Sequence, residues 1–213
     1  MSGARRTLCI CTLTVGLVVA GLVFWNNGLR DRIFPKRWGE VEKGLVYRSG
    51  RIHPALLEET FKKYGIDHIV NLSGRDARST PEDKVAAKLG IEVSYIPMHP
   101  DGSASPEDYA SAIKEIVRNA KEGKQVLIHC SAGVQRTGGV VAAYRLLIQQ
   151  ADPHEVYDEL VRYDWKPDKD QELLDFLNAN MGEVARLLEA EGILAKPPDN
   201  IPRIPRLCAR GAP

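Results

Sequence analysis

Cys130 and Arg136 stand six positions apart inside the run His129-Cys130-Ser131-Ala132-Gly133-Val134-Gln135-Arg136-Thr137-Gly138. A thiol becomes a strong nucleophile once ionised, and a guanidinium forks two donors onto two oxygens of one tetrahedral oxyanion. The apolar stretch Val126-Leu127-Ile128 before them is short and β-rich, so it reads as a buried strand. After them, Gly139-Val140-Val141-Ala142-Ala143-Tyr144-Arg145-Leu146-Leu147 has helical length and no breaker beyond its glycine. A strand that turns into a helix through so short a loop aims successive N–H groups inward. The helix N-terminus adds its own unpaired N–H groups and positive dipole end. The expected product is a phosphate-sized cradle of Ser131, Ala132, Gly133, Val134, Gln135 and Arg136, with a sulfur at its floor.

The field that holds a dianion also stabilises a thiolate. A free cysteine titrates near about 8.5, and a helix N-terminus or a neighbouring cation lowers that to roughly 3.5–7.5. Cys130 is therefore expected to be ionised near neutral pH, with Thr137 donating its hydroxyl hydrogen toward the sulfur and His129 bracing the loop. Such a thiolate attacks phosphorus in line while the cradle holds the equatorial oxygens, so that positioning and charge supply the catalysis. The stretch resembles the signature loop of the cysteine-dependent protein tyrosine phosphatases, H-C-x-x-G-x-x-R-[ST]-G. It matches that loop at every fixed position.

Positioning falls to the elements around the loop. Leu45-Val46-Tyr47-Arg48, Asp67-His68-Ile69-Val70-Asn71-Leu72 and Glu92-Val93-Ser94-Tyr95-Ile96 read as three earlier strands. Residues 54–64 read as a helix stopped by Gly65. Thr80-Pro81-Glu82-Asp83 and Ser105-Pro106-Glu107-Asp108 read as capping boxes that open two more helices. Asp152 and Asp168 mark the starts of the last two. Alternation of this kind predicts an α/β fold, a central and mainly parallel sheet flanked by helices, with ligand beyond the strand C-termini. The cysteine loop follows the fourth strand, an order similar to that of the dual-specificity and classical tyrosine phosphatases. Length, Tyr47-Arg48-Ser49-Gly50 and Ile69-Val70-Asn71-Leu72 extend the resemblance to compact bacterial dual-specificity-like phosphatases, some of them exported.

The resemblance implies a general acid, an aspartate on a mobile loop upstream of the cysteine. Asp101, in Pro97-Met98-His99-Pro100-Asp101-Gly102-Ser103, lies 29 positions before Cys130. Its flanking Pro100 and Gly102 suit a loop able to close and reopen. Asp101 would protonate the leaving oxygen and then activate water against the phosphocysteine. Asp108 is the second candidate, although a capping role accounts for it. Trp165-Lys166-Pro167-Asp168 resembles the acid loop in its letters but comes after the cysteine. Arg75 and Arg78 form a polar loop after the second predicted strand, on the cradle's edge of the sheet.

Composition narrows the partners. Across 213 residues, 29 Lys and Arg against 28 Asp and Glu leave a formal net charge of +1, and no basic run carries interleaved aromatics. Nucleic acid is not an expected partner. Of the cysteines at 9, 11, 130 and 208, one falls in the predicted domain, which excludes a disulfide-stapled scaffold and a cysteine-rich metal site. Neither metal nor cofactor is expected. Residues 1–29 begin with Arg5 and Arg6 and contain an apolar run, 8–25, that would measure about 27 Å as a helix. That is the short end of a bilayer span, and an N-terminal apolar helix serving as a membrane anchor is expected. A cleaved signal, cut after Val18-Val19-Ala20, is the alternative. Arg30, Arg32, Lys36 and Arg37 favour a cytoplasmic domain, whereas the order of basic residues, apolar run and domain favours export; the expectation is an extracytoplasmic domain. A linker (30–43), a phosphatase domain (44–192) and a disordered Pro/Arg tail (193–213) complete the expected organisation.

The functional expectation is a cysteine-dependent phosphomonoesterase acting on phosphotyrosine in proteins and, by the same cradle, on phosphoserine or phosphothreonine. A phosphoinositide or inositol-phosphate phosphatase is the alternative. Relatives selective for those substrates place lysines at the variable cradle positions, which here are Ser131, Ala132, Val134 and Gln135. A catalytically inactive phosphate-binding module is the reading of another class. The joint presence of nucleophile, arginine and candidate acid weighs against it.

Overall fold

The computed structural model describes residues 29–206. Strands β1 (Gly39–Glu42), β2 (Val46–Ser49), β3 (Ile66–Asn71), β4 (Glu92–Tyr95) and β5 (Gln125–His129) form one sheet in the order β1-β2-β5-β3-β4. All neighbours run parallel except β1, which pairs antiparallel along the edge of β2. The register sets Ser49 and Asn71 on either side of His129, so the C-terminal ends of three strands meet where the cradle begins.

Helices α1 (Arg30–Ile33), α2 (Leu57–Tyr64), α3 (Thr80–Leu89), α4 (Pro106–Lys121), α5 (Gln135–Leu147), α6 (Pro153–Arg162) and α7 (Gln171–Ala190) complete the described chain. A short 3-10 turn, Pro54–Leu56, leads into α2. Successive strand residues point to opposite faces, and both faces are covered. Val126 and Ile128 of β5 join the larger core with α4, α5, α6 and α7, while Leu127 joins a smaller one with Leu57, Phe61 and Ala86 from α2 and α3. These three side chains are wholly buried, each stabilising the fold by roughly 1.5–3 kcal/mol. The strand that leads into the nucleophile is thus anchored on both of its faces. Helix α5 is buried on nearly every side, from Thr137 through Leu147, which explains why its sequence shows no single apolar face.

Several expectations are corrected. The stretch 30–43 is not a linker: it supplies α1 and β1, and Val41 packs in the core. The Thr80–Asp83 capping box does not form. Glu82 turns inward instead, and the Ser79 hydroxyl bonds to Asp76. Asp168 is exposed and caps nothing, because α7 starts at Gln171. The tail is ordered well past 193. Ile193 and Leu194 pack on the core, and Ile204 is buried with its N–H and C=O bonded to the Asn178 side chain at 2.8 and 3.0 Å. Its prolines hid Ile201 and Ile204, apolar side chains that dock beside α7. The expected apolar N-terminal run and Cys208 lie outside the described residues. Among the described residues, no helix is long and apolar enough to cross a membrane.

Candidate active site

Five residues separate the end of β5 from the start of α5, and their carbonyls are held from behind. Ser131 O accepts from the Arg51 N–H at 3.2 Å, Ala132 O from Arg37 Nη1 at 2.8 Å, and Gly133 O from Arg48 Nη2 at 3.0 Å. The C=O and N–H of a peptide unit point in opposite directions. Carbonyls fixed outward therefore leave the following N–H groups turned inward, as an anion nest requires. The Gly133 N–H lies 3.1 Å from Cys130 Sγ. Gly133 itself has φ of +78°, and a Cβ there would come within 2.5 Å of the Gly50 nitrogen. Only glycine fits that place.

Cys130 is 1% exposed at the floor of this loop. Burial pushes its thiol up, but the Thr137 hydroxyl and N–H, the Gly133 N–H and the Arg136 charge outweigh it and hold the thiol below its ordinary value. Thr137 Oγ1 is buried without another partner, which leaves it to serve the sulfur. Arg136 is only loosely engaged: Nη1 lies 3.4 Å from Leu72 O, and its buried Nε has no partner. A guanidinium with an unpartnered Nε beside the Cys130 sulfur is available to an oxyanion.

His129 is held by groups that the sequence did not announce. His129 Nε2 sits 3.0 Å from Glu82 Oε2, and Glu82 Oε1 accepts from Asn71 Nδ2 at 2.9 Å. Burial alone would raise the Glu82 carboxyl and lower the His129 imidazole. Their mutual attraction, aided at Glu82 by Asn71, moves each the other way. Each thus keeps its charged form over a wider pH range than it would alone. The lowered carboxyl contributes fully above about 4.3 and the raised imidazole fully below about 6.5, so the pair stabilises most between these values. Its contribution is lost as pH falls through the folded value of Glu82 or rises through that of His129. Glu82→Gln is expected to cost about 3–5 kcal/mol in that window. Urea midpoints for wild type and variant should diverge most there and converge toward both pH extremes.

Arg48 is the second brace, with 0% exposure. Its guanidinium lies 3.7 Å from the Tyr163 ring centre and 3.8 Å from Glu159. Burial pulls it down to about 10 against the raising influence of Glu159, Tyr163 and Cys130, so it stays a cation at neutral pH. The sequence offered Arg48 only as part of a short resemblance.

Asp101 lies on the loop between β4 and α4. Its Oδ1 accepts from the Ser103 hydroxyl at 2.7 Å and the Ser103 N–H at 2.8 Å, and these bonds hold the carboxyl below its ordinary value. The adjoining Gly102 has φ of +91°, and a Cβ on it would come within 3.2 Å of the Gln135 backbone. The structure therefore brings the Asp101 loop against the first residue of α5. Asp108 is engaged elsewhere, in the capping box with Ser105. Arg75 and Arg78 are exposed and occupied by Asp83 and Asp76. Their loop reaches the cradle through Ser73, whose Oγ is 3.1 Å from that of Ser131.

A mainly parallel sheet with a cysteine-floored nest after its central strand defines a class, the cysteine-based phosphatases of the tyrosine and dual-specificity superfamily. The family model for the dual specificity phosphatase catalytic domain matches residues 51–192, and the chain belongs to that family. Dual specificity protein phosphatase 26 from Bos taurus is 30% identical over 110 residues, which cover 51% of this chain and 50% of that protein. The chain thus spans about half the length of the curated relatives it matches. Among solved structures, TpbA of P. aeruginosa aligns with a TM-score of 0.59 at 19% identity, covering 74% of this chain and 91% of that one. The catalytic domain of the PP-IP phosphatase SIW14 from S. cerevisiae aligns with a TM-score of 0.60 at 18% identity, covering 75% and 95%. These two likenesses are of fold.

Proposed function

We propose that the protein is a phosphatase that hydrolyses phosphotyrosine in proteins, and by the same cradle phosphoserine or phosphothreonine, through a phosphocysteine intermediate. The observation that carries this reading is the lowered Cys130 thiol beneath inward N–H groups and the unengaged Arg136 Nε. Cys130 attacks phosphorus as the ester oxygen leaves with the Asp101 proton; water, deprotonated by Asp101, then cleaves the sulfur–phosphorus bond. Support for a protein substrate comes from the variable cradle positions, Ser131, Ala132, Val134 and Gln135, none of them basic. TpbA, one of the fold neighbours, has been crystallised in complex with pTyr, whereas SIW14 acts on PP-IP. Turnover of p-nitrophenyl phosphate by the full chain separates enzyme from phosphate-binding module. A panel of phosphopeptides against phosphoinositides and inositol pyrophosphates then tests the substrate class. Faster turnover of the inositol compounds would replace the protein reading.

The apolar run 8–25 supports a further part of the proposal, that residues 1–29 anchor the chain in a membrane with the catalytic domain outside the cytoplasm. Flotation with vesicles and protease access from the outer face test this placement. A chain that stays unfloated, or is protected from outside protease, would refute it.

A further inference from the structure

We propose that Arg37, held by Asp164, is a positioning residue for the nucleophile: it orients and polarises the peptide unit whose N–H donates to Cys130. The proposal rests on the reading of Cys130 as nucleophile. Arg37 Nη1 donates to Ala132 O at 2.8 Å. The N–H at the other end of that same peptide unit belongs to Gly133 and meets Cys130 Sγ at 3.1 Å. A guanidinium at the carbonyl end draws electron density through the amide and makes its N–H a better donor, as linked hydrogen bonds reinforce one another. The remaining edge of the guanidinium is held as well, since Nε donates to Asp164 Oδ2 at 2.8 Å. Asp164 thereby sets the angle at which the fork meets the loop.

Folding stability does not account for this pair. The Arg37 side chain is 25% exposed and that of Asp164 is 54% exposed, and an ion pair so placed contributes little. Both residues also sit in left-handed backbone, with φ of +47° at Arg37 and +69° at Asp164. A Cβ resists that conformation, more at arginine than at aspartate. Strain of this kind persists where the surroundings demand one placement, and here the placement is against the loop that carries the nucleophile. Arg37 also lies before residue 51, where the family match begins, in a segment whose sequence suggested only a linker.

The test follows the titration of Cys130. Other groups that bear on the sulfur are Arg136 and Thr137 from α5, Arg48 from β2 and His129 at the end of β5, and none is altered. The rate of iodoacetamide alkylation is measured against pH on the full chain. Mass spectrometry of the Cys130 peptide keeps the cysteines at 9, 11 and 208 out of the reading. Arg37→Met is expected to raise the midpoint by about one pH unit, a tenfold change comparable to the net contribution of one hydrogen bond. Asp164→Gly separates positioning from plain charge, and glycine accepts the left-handed backbone without strain. Loss of a nearby negative charge would by itself lower the midpoint, whereas release of Arg37 raises it. A raised midpoint in both variants, with thermal midpoints near wild type, supports the proposal; an unchanged or lowered midpoint in either overturns it. The nucleophile reading fails separately, by turnover surviving in Cys130→Ser.

Discussion

Cys130→Ser is expected to lower turnover of p-nitrophenyl phosphate by about four orders of magnitude or more, with phosphate binding retained. A serine hydroxyl stays protonated under conditions in which the lowered Cys130 thiol is ionised. The groups that grip the anion are elsewhere, in the N–H groups fixed by the outward carbonyls and in the Arg136 fork, and the substitution leaves them in place. Calorimetry with inorganic phosphate should therefore return similar affinities for the two proteins. Residual turnover within about a hundredfold of wild type would take the nucleophile's role away from Cys130.

Asp101→Asn should separate substrates by leaving group. Loss of a general acid costs about 10²–10⁴-fold on an alkyl or tyrosyl phosphate and much less on p-nitrophenyl phosphate, whose aryloxide departs with little protonation. The pH profile carries the same signature. Catalysis requires Cys130 ionised and Asp101 protonated, so kcat/KM follows a bell whose two limbs are set by these groups together. Both groups lie below their ordinary values in the free protein, which moves the whole bell toward acid. In Asp101→Asn the alkaline fall disappears, and kcat/KM rises to a plateau with the ionisation of Cys130. Equal losses on both esters, or a larger loss in Asp108→Asn, would assign the proton to another group.

The chemistry was legible because it is local. His129 to Gly138 fixes nucleophile, nest and fork through backbone geometry over one turn, and the strand before it announces itself by being apolar on both faces. What lies behind the loop was not legible, because it depends on long-range placement. Glu82 looks like an ordinary first-turn acid of a helix until α3 packs beside β5 and buries it against His129. Strand β1 was missed because Gly-Glu-Val-Glu at a sheet edge buries one side chain, too few for a periodic signal. Arg37 read as one basic residue among several, since nothing in its neighbourhood refers to Ala132 or Asp164. Between residues 193 and 206 the chain forms no helix or strand, yet it still docks through Ile204.

The buried Tyr109 hydroxyl donates to Gly102 O at 2.6 Å, and Gly102 is wedged against Leu173 and Gln135. On the proposed mechanism the acid does not arrive on a swinging lid, because its neighbour in the chain, Gly102, is tethered to the core. The motion left to Asp101 is rotation of its own side chain, from the Ser103 latch toward the leaving oxygen. Each latch bond to the carboxylate is worth about 1.5–3 kcal/mol net. Rotamer changes at exposed positions run in picoseconds to nanoseconds, far faster than the microsecond-to-millisecond opening of a loop.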